Sequence, residues 1–388
     1  MSLHQLPNMT ALPAKIIRGG SSKGVYLDIR DLPPSGAARD EIIMKVFGSP
    51  DQRQIDGLGG ADKLTSKLAV MGPSTREDCD VDYLFGQVGI ELPRIDWKSN
   101  CGNISSGAAL WGALQGMGRT LGDHMEVFVH QVNVGRRIRC VVPICDGVPA
   151  TVGDFSIGGV PGTGARIDLD FFDFAGSALG GDVLPTGNAV DRFDIPGTGL
   201  LEASIVDMAN FHIFVRAVDI GLDPTRSIYD LQEDKALVAR LEAVRKVVSE
   251  ELDFISGTAA DEDLKVSMNP LIFAVSPPTT YKATNALTVL ASEQDITARS
   301  LARFSFSKAY PGSGSVGTAI ACGIPETIAA EAFNGDIGGS SYSVRIGHPG
   351  GILEVSAEIH TEGASVIVDQ AKLGRTARLI MDGTCYIR

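Results

Sequence analysis

The sequence predicts an α+β protein made of two pseudo-equivalent halves, and two observations carry that expectation. The first is an internal repeat. Asn100–Leu114 (NCGNISSGAALWGAL) recurs 210 positions later as Tyr310–Ile324 (YPGSGSVGTAIACGI), with Gly102 falling on Gly312, Ser105 on Ser315, Gly107 on Gly317 and Ala109 on Ala319. Each copy starts with small polar residues and runs into an apolar stretch rich in Ala and Gly, the pattern of a tight loop opening a buried helix. The second is a succession of short β-like runs around each copy, punctuated by Gly, Pro, Asp or Asn. Each half therefore holds many short strands around one helix.

The strand-like runs of the first half are Ala14–Ile17, Gly24–Ile29, Lys67–Met71, Val81–Phe85, Met125–Val129, Arg137–Val142 and Arg166–Phe171. Those of the second are Leu201–Val206, Ile213–Ala217, Leu271–Val275, Ser341–Ile346, Gly351–Ile359 and Ala377–Met381. Helical periodicity marks Ala37–Phe47, Ile104–Met117, Lys235–Val248, Asp295–Ala302 and Val316–Cys322. Within Asp234–Leu252 the apolar residues Leu237, Val238, Leu241, Val244, Val247 and Val248 fall on one face, as in an amphipathic surface helix. Pro185, Gly187 and Asn188 cluster at Leu184–Asp194, which places the boundary between residues 1–190 and 191–388. Strands and helices do not alternate strictly. GGAD at Gly59–Asp62 and GTG at Gly162–Gly164 are not GxGxxG, and no Walker A sequence occurs, so a nucleotide fold is not expected.

Bulk composition narrows the function. A chain of 388 residues suits two domains of roughly 150–200 residues each. Its 45 glycines predict many tight turns or close backbone approaches. A net charge of −13 with no basic run argues against a nucleic-acid partner. It does not exclude anionic substrates, because a few local donors outweigh net charge at short range. No apolar run reaches the ~18 residues of a membrane span. Six scattered cysteines without a CxxC pair, and a polar, proline-broken start, point to the cytoplasm. Six scattered histidines give no metal-ligand spacing, so no metal site is expected.

The repeat also points to chemistry. Free N–H groups at a helix start bind anions, and here there are two such starts, with Cys101 on one where the other has Pro311. Two anion-binding ends facing one cleft, with a reactive group on one of them, suggest an enzyme acting on a small polycarboxylate. A helix N-terminus favours the thiolate of Cys101. Lys67, between small apolar neighbours, shares a strand face with Ala69 and Met71, while Ser66, Leu68 and Val70 share the other. A lysine there becomes a base if burial and cations lower its pKa. Position alone favours an ordinary core cysteine and an exposed strand lysine. In Arg18-Gly19-Gly20-Ser21-Ser22-Lys23-Gly24 the glycines permit close backbone approach, and Arg18 can hold a carboxylate bidentately. His348, in GHPGG between two strands, is a candidate for substrate positioning.

Six segments (RGGSSKG, IDGLGGADKLTSK, DVDYLFGQV, NCGN, LPTGN and RIGHPGG) occur in order and resemble the 2-methylaconitate cis–trans isomerase family. That family also includes methylitaconate and aconitate isomerases and 4-oxalomesaconate tautomerases. The resemblance covers essentially the whole chain. It implies a diaminopimelate-epimerase-like fold: two similar domains, each a curved sheet wrapped around a central helix, with the active site between them and the terminal strand able to cross to the first domain. In such epimerases two cysteines at the helix starts serve as acid and base. Cys101 matches the first, but Pro311 stands at the second, so a two-thiol epimerisation is not expected. The isomerase branch uses a lysine and a cysteine, and Lys67 and Cys101 match those positions.

The resulting expectation is a cofactor-independent isomerase of aconitate-like di- or tricarboxylic acids. It would work by a 1,3-allylic proton shift or a cis–trans isomerisation. The alternatives are a 4-oxalomesaconate keto–enol tautomerase and a non-catalytic carboxylate-binding protein. The expected catalytic pair is Lys67 and Cys101, roughly 5–8 Å apart across the substrate, each within hydrogen-bond reach of it. The expected substrate-binding residues are Arg18, Gly19, Gly20, Ser21, Ser22, Ser66, Gly102, Asn103, Gly312, Ser313, Gly314, Ser315 and His348. A polycarboxylate is the expected partner, with homodimerisation left open.

Overall fold

The structure is a computed structural model, described here for residues 8–254, 264–265, 267–337, 339–363 and 365–388. Its described helices include α1 (Ala37–Phe47), α2 (Gly102–Leu114), α3 (Ile228–Glu233), α4 (Lys235–Glu251), α5 (Gly312–Gly323) and α6 (Ile328–Ala332). The rest is mostly strand, so the class is α+β as expected.

The pairing of the strands repeats. In the first half the order is Thr10–Gly19, Ser22–Asp28, Lys67–Pro73, Val81–Val88, His124–Gln131, Arg136–Cys145 and Ile167–Asp170. Successive neighbours pair antiparallel, parallel, antiparallel, parallel, antiparallel and antiparallel. In the second half the order is Gly199–Met208, Asn210–Arg216, Leu271–Ser276, Ile296–Ala302, Ser341–His348, Gly351–Glu362 and Ser365–Arg375, and the series of orientations is the same. The two series join where Ile167–Asp170 pairs with Ser365–Arg375. The final strand, Ala377–Ile387, then pairs antiparallel with Thr10–Gly19, so the chain crosses back to the first half at Arg375–Thr376.

Each series encloses one repeat helix. Every residue of α2 from Gly102 to Ala113 is buried, and so is every residue of α5 from Gly312 to Cys322. A helix wrapped by sheet has no solvent face, which explains why both are apolar all round and rich in Gly and Ala. Tyr26 Oη donates to Ile104 O (2.9 Å) over Gly107, and Tyr342 Oη donates to Ala319 O (3.0 Å). Helix α2 stops at Leu114 rather than Met117, with Gly116 in the left-handed region at φ +70°. Helix α4 is amphipathic as expected: Asp234 caps it by accepting from Leu237 N (3.1 Å), and Leu237, Val238, Leu241, Val244 and Val248 pack on the second half.

One element differs in kind. Asp295–Ala302, expected as a helix, is the strand Ile296–Ala302. It lies between Leu271–Ser276 and Ser341–His348, with every residue buried. A strand covered on both faces loses the alternation that marks a half-exposed one. Arg299 sits inside it, its guanidinium 4.3 Å from the Tyr281 ring, so polar positions do not report solvent. Among the described residues no helix is long and apolar enough to cross a membrane, and no group of three or more His, Cys, Asp or Glu could hold a metal ion.

Candidate active site

The two helix starts meet head to head. A Cβ on Gly102 would lie 2.9 Å from Ser313 N, and one on Gly312 would lie 3.0 Å from Asn103 N. Only glycine at both positions permits this approach. The first-turn N–H groups of both helices therefore converge on one small cavity of about 30 Å³. Lys63, Lys67, Phe85, Asn100, Cys101 and Asn103 line it from the first half. Asn210, Met268, Leu271, Ala309, Pro311 and Ser313 are among those lining it from the second.

Cys101 is the residue immediately before α2, in extended conformation. Lys67 opens its strand, on the face shared with Ala69 and Met71 that packs against α2; Leu68 and Val70 face the other way, into the α1 core. Lys67 is 5% exposed and Cys101 7%. Lys67 Nζ lies 3.3 Å from Cys101 Sγ and 5.3 Å from the centre of the Phe85 ring. The separation is shorter than the expected 5–8 Å, because the two groups hydrogen-bond to each other directly. In the second half, Leu271 opens the strand equivalent to that of Lys67 and Pro311 precedes α5, and both line the same cavity. An amine and a sulfur thus stand on one side, and Leu271 and Pro311 hold the equivalent positions on the other.

Arg375, which the sequence reading missed and no local sequence pattern marks, stands behind the cavity lining and is bonded to Asn103. It is 2% exposed. Its Nε donates to Asn103 Oδ1 (2.9 Å) and its Nη1 to Gly374 O (3.0 Å). Burial pulls its pKa down to about 9, partly offset by nearby Cys101. The Val366–Val368 run is β-branched and signals a strand there, but only the crossover at Thr376 brings its end to α2. Arg18 has a different place. Its Nη1 donates to Gly20 O, Thr376 O and Thr376 Oγ1, each at 2.9 Å, so it ties down the crossover beside Arg375 and does not line the cavity.

The Gly-rich loop supports the same network. Cβ atoms on Gly19 and Gly20 would strike Asn103 O and Asn103 Oδ1 at 2.5 and 2.2 Å. With glycine there, Ser21 Oγ accepts from Asn103 Nδ2 (3.1 Å), and Asn103 links the loop to Arg375. Ser22 Oγ is buried with no partner among the described residues. Ser66 faces away from the cavity, donating to Val88 O (3.0 Å) and accepting from Gln54 Nε2 (2.8 Å). Ser315 donates to Gly312 O (2.7 Å) within α5, and Gly314 makes room for Phe273. Asn210, also missed, donates to Ser313 Oγ (2.5 Å) and accepts from Asn100 N (3.4 Å), joining the two helix starts.

His348 is 1% exposed and outside the cavity lining. Burial, with Arg375 and Arg299 nearby, lowers its pKa to about 3, so the ring is neutral. Nδ1 accepts from Gly350 N (3.1 Å), which leaves the proton on Nε2, buried without a partner against Gly158.

Comparison with known proteins bears on this arrangement. The family model for PrpF protein matches residues 9–388. The chain belongs to the PrpF family. Among PrpF relatives, the 3-methylitaconate isomerase of Eubacterium barkeri is 38% identical over 97% of each chain. The 2-methyl-aconitate isomerase of Shewanella oneidensis is 35% identical over 99% of this chain and 98% of its own. The 4-oxalomesaconate tautomerase of Pseudomonas putida is 34% identical over 97% and 96%. The crystal structure of methylitaconate-delta-isomerase superposes with a TM-score of 0.79 at 37% identity, covering 98% of this chain and 96% of that one. A hydroxyproline epimerase from Agrobacterium vitis, 11% identical with a TM-score of 0.55, shares the fold, which is diaminopimelate-epimerase-like. This PrpF chain is an enzyme of the isomerase class.

Proposed function

We propose that the chain isomerises an unsaturated di- or tricarboxylic acid of the aconitate type by moving one allylic proton, with Lys67 as base and Cys101 as proton donor. The observation that carries this is the Lys67–Cys101 pair at 3.3 Å on one side of a cavity whose opposite side is Leu271 and Pro311. A two-base epimerisation needs groups on both faces of the reacting carbon. With both groups on one side, a proton leaves one carbon and is delivered to the far carbon on the same face, which suits a stepwise 1,3-shift.

In the forward direction the Lys67 amine takes a proton one carbon from the double bond. The C–H electron pair delocalises through the alkene into a conjugated carboxylate, giving a dienolate. Cys101 gives its proton to the far carbon, the double bond moves by one position, and a proton passing from the Lys67 ammonium to the thiolate resets the pair across their hydrogen bond. Rotation within the delocalised anion before protonation interchanges cis and trans. The first-turn N–H groups of α2 and α5 and Ser313 are donors for the carboxylates and the growing charge, and the Arg375 cation supports them from behind Asn103. Removing one such donor costs about 3 kcal/mol of barrier stabilisation.

Keto–enol tautomerisation of 4-oxalomesaconate uses the same proton path, and the tautomerase relative favours keeping it as a second reading. The test is a turnover panel of trans-aconitate, 2-methylaconitate, methylitaconate and 4-oxalomesaconate, followed by NMR. Turnover of at least one acid, lost in Lys67→Ala with the fold retained, is expected. No turnover of any of them overturns the proposal. A reduced, cytoplasmic setting suits the six free cysteines, Cys101 among them.

A further inference from the structure

Lys63 is the second lysine of the cavity, and the chemistry above does not use it. It stands between two spaces. On one side is the cavity with Lys67 and Cys101; on the other is an outer cleft of about 550 Å³ that Lys63 shares with Gln52, Glu91, Arg303 and Ser305. Its side chain crosses to the second half, where Nζ donates to Ser305 O (2.8 Å). Asp62 and Lys308 span the same junction at 3.6 Å.

The backbone under Lys63 is fixed. Buried Gln54 accepts from Ala61 N (2.8 Å) and donates to Ser66 Oγ (2.8 Å). Buried Gln87 donates to Ser66 O (2.8 Å) and Lys63 O (3.3 Å). Asp62 Oδ1 accepts from Leu64 N (2.8 Å). These bonds hold the loop on both sides of Lys63, so only its side chain is free to reorient. Its ammonium is poorly compensated. Burial, then Arg303, Lys67 and Arg245, lower its pKa to about 7 against the opposing pull of Asp62. Among the described residues no acidic side chain lines the cavity. The cavity itself has room for about one water and not for a six-carbon acid.

We propose that Lys63 is the gating and positioning cation of this site: its ammonium leaves Ser305 O for a carboxylate arriving from the outer cleft and holds that carboxylate at the mouth while the allylic C–H lies against Lys67 and Cys101. This rests on the isomerase reading above. An ammonium–carboxylate hydrogen bond is stronger than one to a neutral carbonyl, so the exchange runs toward the substrate. The occupied Lys63–Ser305 contact keeps the mouth narrow until an anion replaces it.

The test separates binding from chemistry. Lys63→Met keeps the apolar stem and removes the charge, while Lys63→Arg keeps a cation. Steady-state kinetics on whichever acid the wild type turns over should show KM raised about 10- to 100-fold in Lys63→Met with kcat within about threefold, the loss expected for one charged hydrogen bond. Lys63→Arg should recover most of the KM. An unchanged KM, or a fall in kcat alone, overturns the proposal and leaves the isomerase reading standing. If Lys63→Met does not fold, the wild type decides. Reductive methylation read by mass spectrometry should show Lys63 protected by tricarballylate, and equal labelling with and without it overturns the proposal. A wild type that neither turns over any of the four acids nor binds tricarballylate overturns the isomerase reading and this inference with it.

Discussion

Lys67 Nζ and Cys101 Sγ are hydrogen-bonded at 3.3 Å, an amine and a thiol buried together at the start of a helix. One member comes from a strand and the other from the residue before α2, so the pair exists only because the sheet wraps that helix. Cys101→Ser preserves shape and a hydroxyl but replaces the thiol with a far weaker acid. We expect kcat to fall about 10²- to 10⁴-fold with substrate binding retained. The exposed Cys145 serves as control, and Cys145→Ser should match wild type. Kinetics of the two variants on the same substrate check this, and equal kcat values would remove Cys101 from the reaction.

Gly102 and Gly312 set the distance between the helix starts. In Gly102→Ala the new methyl would lie 2.9 Å from Ser313 N and 3.1 Å from Gly312 C, atoms of a buried backbone that cannot swing aside. Overpacking of this kind costs about 1–3 kcal/mol. Denaturant melts should show a loss of that size, and tricarballylate binding by calorimetry should weaken as the N–H groups move apart. Unchanged stability and affinity would show that the contact is not tight.

Arg375 should separate charge from geometry. Arg375→Lys keeps the cation but loses the planar fork and the Nε bond to Asn103. A charged hydrogen bond contributes about 1.5–3 kcal/mol, so KM should rise about 10- to 100-fold. Arg375→Met should lower kcat as well, because the dienolate loses the buried cation behind Asn103. Steady-state kinetics with both variants check this, and wild-type constants in Arg375→Met would return the role to other donors.

The sequence made much of this legible, for definite physical reasons. The repeat is visible because a helix enclosed by sheet must be small-sided and apolar throughout, a pattern that survives in Gly102/Gly312 and Ala109/Ala319. Lys67 was legible only in part: alternation put it on one face with Ala69 and Met71 but favoured an exposed lysine, and the family resemblance singled it out. Arg375 was not, because its placement depends on a crossover between halves that no local pattern encodes. Arg18 looked like the carboxylate clamp for the same reason: its real partner, Thr376, lies 358 residues away. Ile296–Ala302 was misread because both of its faces are covered.

Asp207 supplies a pH test independent of catalysis. It is fully buried and accepts from Ala178 N and Leu179 N. Burial nonetheless raises its pKa from 3.8 to about 6. Between those values the folded state holds a proton that the unfolded state releases, so stability falls as pH rises from about 4 to about 6. Two pKa units correspond to about 3 kcal/mol. In chemical denaturation at a series of pH values, Asp207→Asn should gain on wild type by up to that amount across the window. A constant difference would contradict the raised pKa.

The proposed reaction turns on the removal of an allylic proton of a polycarboxylate by Lys67. The most direct measurement is deuterium incorporation into cis-aconitate, or into whichever acid the wild type turns over, followed by NMR in D₂O with wild type, Cys101→Ser and Lys67→Ala. Exchange at the allylic carbon is expected with wild type, slowed but measurable exchange with Cys101→Ser, and none above the uncatalysed rate with folded Lys67→Ala. Near-wild-type exchange in Lys67→Ala would contradict it.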